Sequence, residues 1–127
     1  MIELDYKKDP ELFNKTAREW AKKIAKAQCK NNKGKVVEMK TKKTQVRNFY
    51  DKVLELLKEA EEKEWEDVYP FVKMLNSKVA YARTREVVNC KFVDMMQTCI
   101  NQIDKEEKLK NFKLFFEAVI GFYKEEK

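Results

Sequence analysis

Apolar residues recur at steps of three and four along most of this chain, which is the pattern of amphipathic helices. The clearest run alternates steps of four and three through Val68, Val72, Leu75, Val79 and Ala82. Four similar runs start near positions 9, 44, 86 and 104, and the first fades near position 28. The pattern predicts an all-α fold, a compact bundle of about five helices that forms a single helical domain over residues 1–127.

The segment Cys29–Lys43 interrupts this periodicity, because it holds Asn31, Asn32 and Gly34 among several lysines. Such residues end helices and favour turns, so the segment is predicted to be a basic loop after the first helix. The sequence leaves open whether this loop is ordered or disordered. Elsewhere glycine and proline are scarce, with two of each in the whole chain, which disfavours an all-β fold.

Positive charge is concentrated in two stretches that are almost free of acids. Trp20–Tyr50 holds ten lysines and arginines and one acid, and Val68–Arg85 holds four bases and no acid. Solvated surfaces normally mix the two signs, so such stretches indicate a face kept clear for a polyanion. Nucleic acid is the leading candidate for this partner, and an anionic membrane is the second.

Residue types needed for catalysis or metal binding are scarce. The chain has no histidine, and its three cysteines form no C-x-x-C pair. The odd count predicts free buried thiols rather than a zinc site or a disulfide framework. No phosphate-binding loop or nucleophile motif is present, so we expect no catalytic residue, no metal, no cofactor and no small-molecule substrate. The sequence has neither a membrane-length apolar run nor a signal peptide, which predicts a cytoplasmic protein.

Two clusters are candidates for anion binding. In the third predicted helix, Lys78, Tyr81 and Arg85 share one stripe beside the apolar one, where cations can pair with phosphates and the ring can stack on a base or sugar. At the start of the second, Lys43 and Arg47 add charge to a helix terminus that is already positive. That arrangement favours an anion docked there.

Three blocks of sequence carry a family resemblance. They are TKKTQVRNFYDKV (Thr41–Val53), YPFVKMLNSKVAYARTR (Tyr69–Arg85) and FKLFFEAVIGFYK (Phe112–Lys124). In order and spacing they resemble the small subunit of the type III-A CRISPR–Cas effector, the Csm complex. The resemblance covers about two-thirds of the chain, and the first forty residues match the family poorly.

The resemblance implies a non-catalytic RNA-binding scaffold in antiviral defence. Several copies would stack as a filament beside the backbone and large subunits, and would hold guide RNA paired with target RNA by its backbone. Cleavage would belong to other subunits, and guide pairing would supply specificity. The positions matched to the family's motifs, joined by Lys43 from the charge cluster, give the predicted RNA-binding set: Lys43, Arg47, Lys73, Lys78, Tyr81 and Arg85. Lys113 is a weaker candidate.

Two other readings of the charge pattern remain open. A helix-turn-helix protein would bind duplex DNA better than RNA, but no short glycine-containing turn joins two short helices here. A helical adaptor would present the acid-free faces to an acidic protein, and nuclease treatment would then not release the partner.

Overall fold

A computed structural model describes residues 2–125 of the chain, so Met1, Glu126 and Lys127 of the predicted domain lie outside it. A π-helical segment (Leu12–Thr16) leads into α1 (Ala17–Ala25), and the strands β1 (Ala27–Lys30) and β2 (Val36–Met39) follow. The remaining helices are α2 (Lys43–Glu62), α3 (Trp65–Thr84), α4 (Cys90–Gln102) and α5 (Glu106–Glu125). The predicted bundle of five helices is confirmed, with a small antiparallel sheet added.

The core lies between two helix pairs, since α1 packs on α5 and α3 on α4, while α2 contacts both α3 and α5. Its centre is aromatic. Phe92, Phe112 and Phe116 are fully buried, and their ring centroids lie 5.7–6.2 Å apart in successive contacts. The apolar stripe predicted between positions 68 and 82 is buried along its whole length, as expected for the inward face of α3.

The first residues of the chain join this core, which the sequence did not predict. Ile2 and Leu4 are buried. The Gln102 side chain holds them, since its Nε2 donates to Ile2 O at 2.7 Å and its Oε1 accepts from Leu4 N at 2.9 Å. Asn111 Nδ2 donates to Leu4 O at 3.1 Å. The N-terminal segment is therefore fixed across the ends of α4 and α5.

The predicted basic loop is in fact an ordered β-hairpin. β1 pairs with β2 with Ala27 opposite Met39 and Lys30 opposite Val36. Asn31 shapes the turn, because its Oδ1 accepts from the backbone N–H groups of Lys33 and Lys35 at 2.9 and 3.0 Å. Gly34 has φ +80°, a left-handed conformation that glycine adopts at little cost.

The fourth helix begins at Cys90, four residues later than the sequence predicted. Glu86 takes a left-handed φ of 58°, which breaks the chain away from α3. Asn89 is fully buried and caps α4, since its Oδ1 accepts from Phe92 N at 2.9 Å. Its Nδ2 donates to Ile24 O at 2.7 Å and to Met39 O at 3.0 Å. One side chain thus joins α1, β2 and α4.

The prediction that all three cysteines are free was wrong. Cys29 and Cys90 form a disulfide with their Cα atoms 5.8 Å apart, and Cys99 alone is free and buried. The two cysteines lie 61 residues apart in the sequence, which gives no sign of their pairing. The hairpin instead carries Cys29 to the first residue of α4, within the reach of a disulfide.

Candidate nucleic-acid interface

The two basic stretches of the sequence, which are nearly free of acids, meet at one end of the bundle. Lys42 N donates to Val87 O at 3.0 Å, and Thr41 Oγ1 accepts from Asn89 N at 2.9 Å. These bonds place the first turn of α2 directly beside the chain that leaves α3. The cations that open α2 therefore lie close to Arg85, which follows the last residue of α3.

The hairpin is anchored at the same end. Arg83 donates through Nη2 to Lys30 O, and Asn32 Nδ2 donates to Thr84 O at 2.9 Å. Asn32 N also donates to the Glu86 carboxylate at 2.9 Å, and the disulfide fixes β1 to α4. The hairpin lysines thus join the cations of α2 and α3 in one surface. We call it the basic end, made of Lys30, Lys33, Lys35, Lys42, Lys43, Arg47 and Arg85, all of them exposed.

Lys43 and Arg47 line a groove of about 700 Å³ between α2 and α5. Tyr50 and Tyr123 form part of its wall. The Tyr123 hydroxyl donates to Thr41 O at 3.1 Å, which holds the end of α5 against the start of α2. The groove therefore opens beside the basic end, with cations at one rim and aromatic side chains within.

The weaker candidate Lys113 is held by two residues that line this groove, Glu117 and Tyr50. Its Nζ lies 2.8 Å from Glu117 Oε1, which also accepts from the Tyr50 hydroxyl at 3.1 Å. The Lys113 ammonium, followed by the tyrosine hydrogen bond, lowers the pKa of Glu117, and the same carboxylate raises the pKa of Lys113. The charge of Lys113 is thus largely balanced within the protein.

Three of the predicted residues share one exposed shoulder of α3. Lys78 lines a shallow groove with Gln45 and Lys52 of α2. Tyr81 is 65% exposed, and the Arg85 guanidinium lies 5.7 Å from the centre of its ring. These side chains point away from the core stripe and run toward the basic end.

Lys73 lies on the opposite shoulder of α3, against α4. Its Nζ donates to Ile100 O at 2.7 Å and lies 5.3 Å from the Tyr69 ring centre. Burial lowers the pKa of Lys73, and Asp104 partly offsets this effect. The structure therefore separates Lys73 from the other five predicted residues and engages its ammonium in helix packing.

Phe71 is a surface residue that the sequence pattern did not single out. Its ring is 56% exposed on the same shoulder as Lys78 and Tyr81. Phe71 lies seven residues before Lys78, so helical spacing was the one feature of the sequence that could have placed both on the same face of α3.

Residues 2–125 contain no candidate metal site and no candidate membrane-spanning helix. No group of three or more histidine, cysteine, aspartate or glutamate side chains there could hold a metal ion. None of the helices in this part of the chain combines the length and hydropathy of a membrane span.

Fold and surface together define a mostly helical protein with one basic end. A family model described as Csm2 Type III-A matches residues 7–127. The chain belongs to the Csm2 family, the structural small subunit of the type III-A Csm complex of CRISPR–Cas systems. Comparisons with curated proteins and with solved structures found no match. The resemblance is confirmed, but its limit at Thr41 was wrong, because the family match also spans α1 and the hairpin.

Proposed function

We propose that this chain is a non-catalytic scaffold that holds RNA through its basic end within a cytoplasmic type III-A Csm complex. The bound RNA is target strand paired with guide RNA. Copies of the chain stack along the complex, beside its backbone and large subunits. Binding goes through phosphates and is independent of sequence, since lysine and arginine contacts to the backbone fix position without reading bases.

One observation carries this proposal. Two stretches that are separate in the sequence and nearly free of acids come together at one end of the fold. Of the acids near this end, Glu38 pairs with Lys40 at 3.8 Å and the Glu86 carboxylate accepts from Asn32 N, while Asp51 and Glu117 line the groove beside Arg47. The remaining excess of cations suits a polyanion.

A passive role agrees with the chemistry of the chain. It has no histidine, and its buried Cys99 thiol has a pKa raised well above the usual value by burial, which makes it a poor nucleophile. In the proposal, catalysis therefore belongs to other subunits, and this chain contributes position and charge.

The test reverses the charge of two arginines of the basic end, one on α2 and one at the end of α3. Arg47→Glu combined with Arg85→Glu is compared with Lys58→Glu combined with Lys105→Glu, which changes net charge equally at exposed sites outside the basic end. Each protein is tagged and assembled into the complex, and the target RNA retained per guide RNA is measured.

We expect the arginine variant to retain much less target RNA at physiological salt and the lysine variant to behave as wild type. Both should keep the far-ultraviolet circular dichroism of the parent. Equal retention by the two variants would contradict the proposal. Tighter binding of isolated chain to duplex DNA than to RNA would instead favour the DNA-binding reading.

A further inference from the structure

One shoulder of α3 carries apolar side chains that face solvent instead of the core. Phe71 is 56% exposed, Met74 49% and Tyr81 65%. With Lys78 and Arg85 they follow steps of three and four, so the five side chains form one line, which we call the α3 stripe. At 1.5 Å per residue this line is about 21 Å long.

The rest of the fold leaves Phe71, Met74 and Tyr81 of the α3 stripe exposed, while α2 approaches the stripe at Lys78. The polar contacts that α3 makes with α4 and the hairpin lie on its opposite shoulder, where Lys73 bonds to Ile100 O, Asn76 to Asn101 and Arg83 to Lys30 O. Exposed apolar side chains in a continuous line indicate a site for a partner.

The composition of the stripe suits unpaired nucleotides. Its two cations, Lys78 and Arg85, flank Tyr81 and follow the apolar Phe71 and Met74, and the segment Val68–Arg85 contains no acid. Aromatic rings stack on bases that are not already stacked, and cations beside them meet the phosphates of the same strand. A duplex hides its base faces within its own stack, so it would use the cations of the stripe but not its rings.

The stripe is also continuous with the basic end, because Arg85 belongs to both. Its guanidinium lies against the Tyr81 ring, at 5.7 Å from the centroid, so charge and aromatic surface are presented together. A strand held by its phosphates at the basic end can thus continue along α3.

We infer that the α3 stripe binds single-stranded RNA by stacking, an inference that rests on the proposed function and adds an unpaired segment to the duplex held at the basic end. The experiment measures the affinity of the full chain for a short unstructured RNA and for the same strand annealed to its complement. The test variant is Phe71→Leu combined with Tyr81→Leu. Leucine keeps apolar surface but removes the flat ring. Tyr6→Leu, at a ring that is 47% exposed outside α3, is the matched control.

We expect the double variant to bind the single strand roughly tenfold more weakly or worse, since each stacked base contributes about 1–3 kcal/mol. Its duplex affinity should stay unchanged, and Tyr6→Leu should match wild type for both forms. Arg85→Gln should weaken both forms, because phosphates are present in each.

Three results would overturn the inference. Equal loss for single strand and duplex, or loss for neither, would show that the rings do not stack on bases. Intact RNA binding with reduced recovery of the other Csm subunits would make the stripe a protein-docking surface. Failure of wild type to bind either RNA would contradict the proposed function as well, whereas the first two results would leave it standing.

Discussion

Replacing Asn89 should destabilise the fold more than any surface substitution, because this side chain joins three elements in the buried interior. Asn89→Ala removes the acceptor that caps α4 at Phe92 N, a loss of about 1 kcal/mol. It also removes the donor to Ile24 O and Met39 O, where each lost bond to a buried carbonyl costs about 1–3 kcal/mol. Together these give roughly 3–7 kcal/mol, a large part of the 5–15 kcal/mol typical of a domain.

The assay is thermal and urea unfolding followed by circular dichroism, with the redox state of the cysteines held constant. A loss of this size lowers Tm by roughly 10–35 °C in a domain of this length. Asn48→Ala, at an exposed asparagine of α2, is the control and should change stability by less than about 0.5 kcal/mol.

Asn89→Asp separates the two contributions. The carboxylate keeps an acceptor for Phe92 N but turns an oxygen toward two carbonyl oxygens. It should therefore be at least as destabilising as alanine, although aspartate is a good helix cap. An alanine variant that lost less than about 1 kcal/mol, the value of a cap alone, would refute the reasoning. So would an aspartate variant as stable as wild type.

Three further predictions follow from single contacts. Cys90→Ser should cost about 4 kcal/mol in the oxidised protein, because the disulfide spans 61 residues. Under reductant the same substitution should not change stability, and equal Tm values of variant and wild type without reductant would contradict this. Gly34→Ala should cost about 1–2 kcal/mol at its left-handed φ, whereas Gly121→Ala, in open space on α5, should stabilise by about 1 kcal/mol. Urea unfolding measures both changes in unfolding free energy, and two changes of the same sign would contradict the prediction. Lys73→Ala should lower Tm by removing the bond to Ile100 O yet leave RNA affinity unchanged. Weaker RNA binding by this variant would show that Lys73 contacts RNA after all.

Helix existence was predictable here because the apolar spacing is regular and the buried faces are continuous. The stripe from Val68 to Ala82 is the clearest case, since each of its positions is buried. Boundaries were harder. The fourth helix was predicted to begin at Glu86, but the left-handed φ of that residue and the cap at Asn89 move its start to Cys90. Both depend on contacts with distant segments that periodicity does not encode.

The hairpin was missed for a different reason. Its strands are only four residues long, and the asparagines, glycine and lysines of the turn between them are equally typical of loops. Tertiary contacts decide the outcome, as Arg83 and Asn32 fix the hairpin to α3. The disulfide was missed with it, because the pairing of Cys29 depends on where the hairpin places β1.

The candidate site was partly predictable. The charge counts showed both basic stretches, and helical spacing put Lys78, Tyr81 and Arg85 on one line. Neither could show that the stretches meet in space, which depends on the bond between Lys42 N and Val87 O and on the anchored hairpin. Spacing also could not show that the Lys73 ammonium packs against α4.

The central proposal, that the basic end holds RNA by its phosphates, is tested most directly by the salt dependence of RNA affinity. The measurement compares wild type, Arg47→Gln combined with Arg85→Gln, and Lys58→Gln combined with Lys105→Gln, each in the assembled complex. Loss of two phosphate contacts to the paired strand should make the slope of log affinity against log salt shallower by roughly 1.8 in the arginine variant. The lysine variant should keep the wild-type slope. An arginine variant with the wild-type slope and affinity would contradict the account.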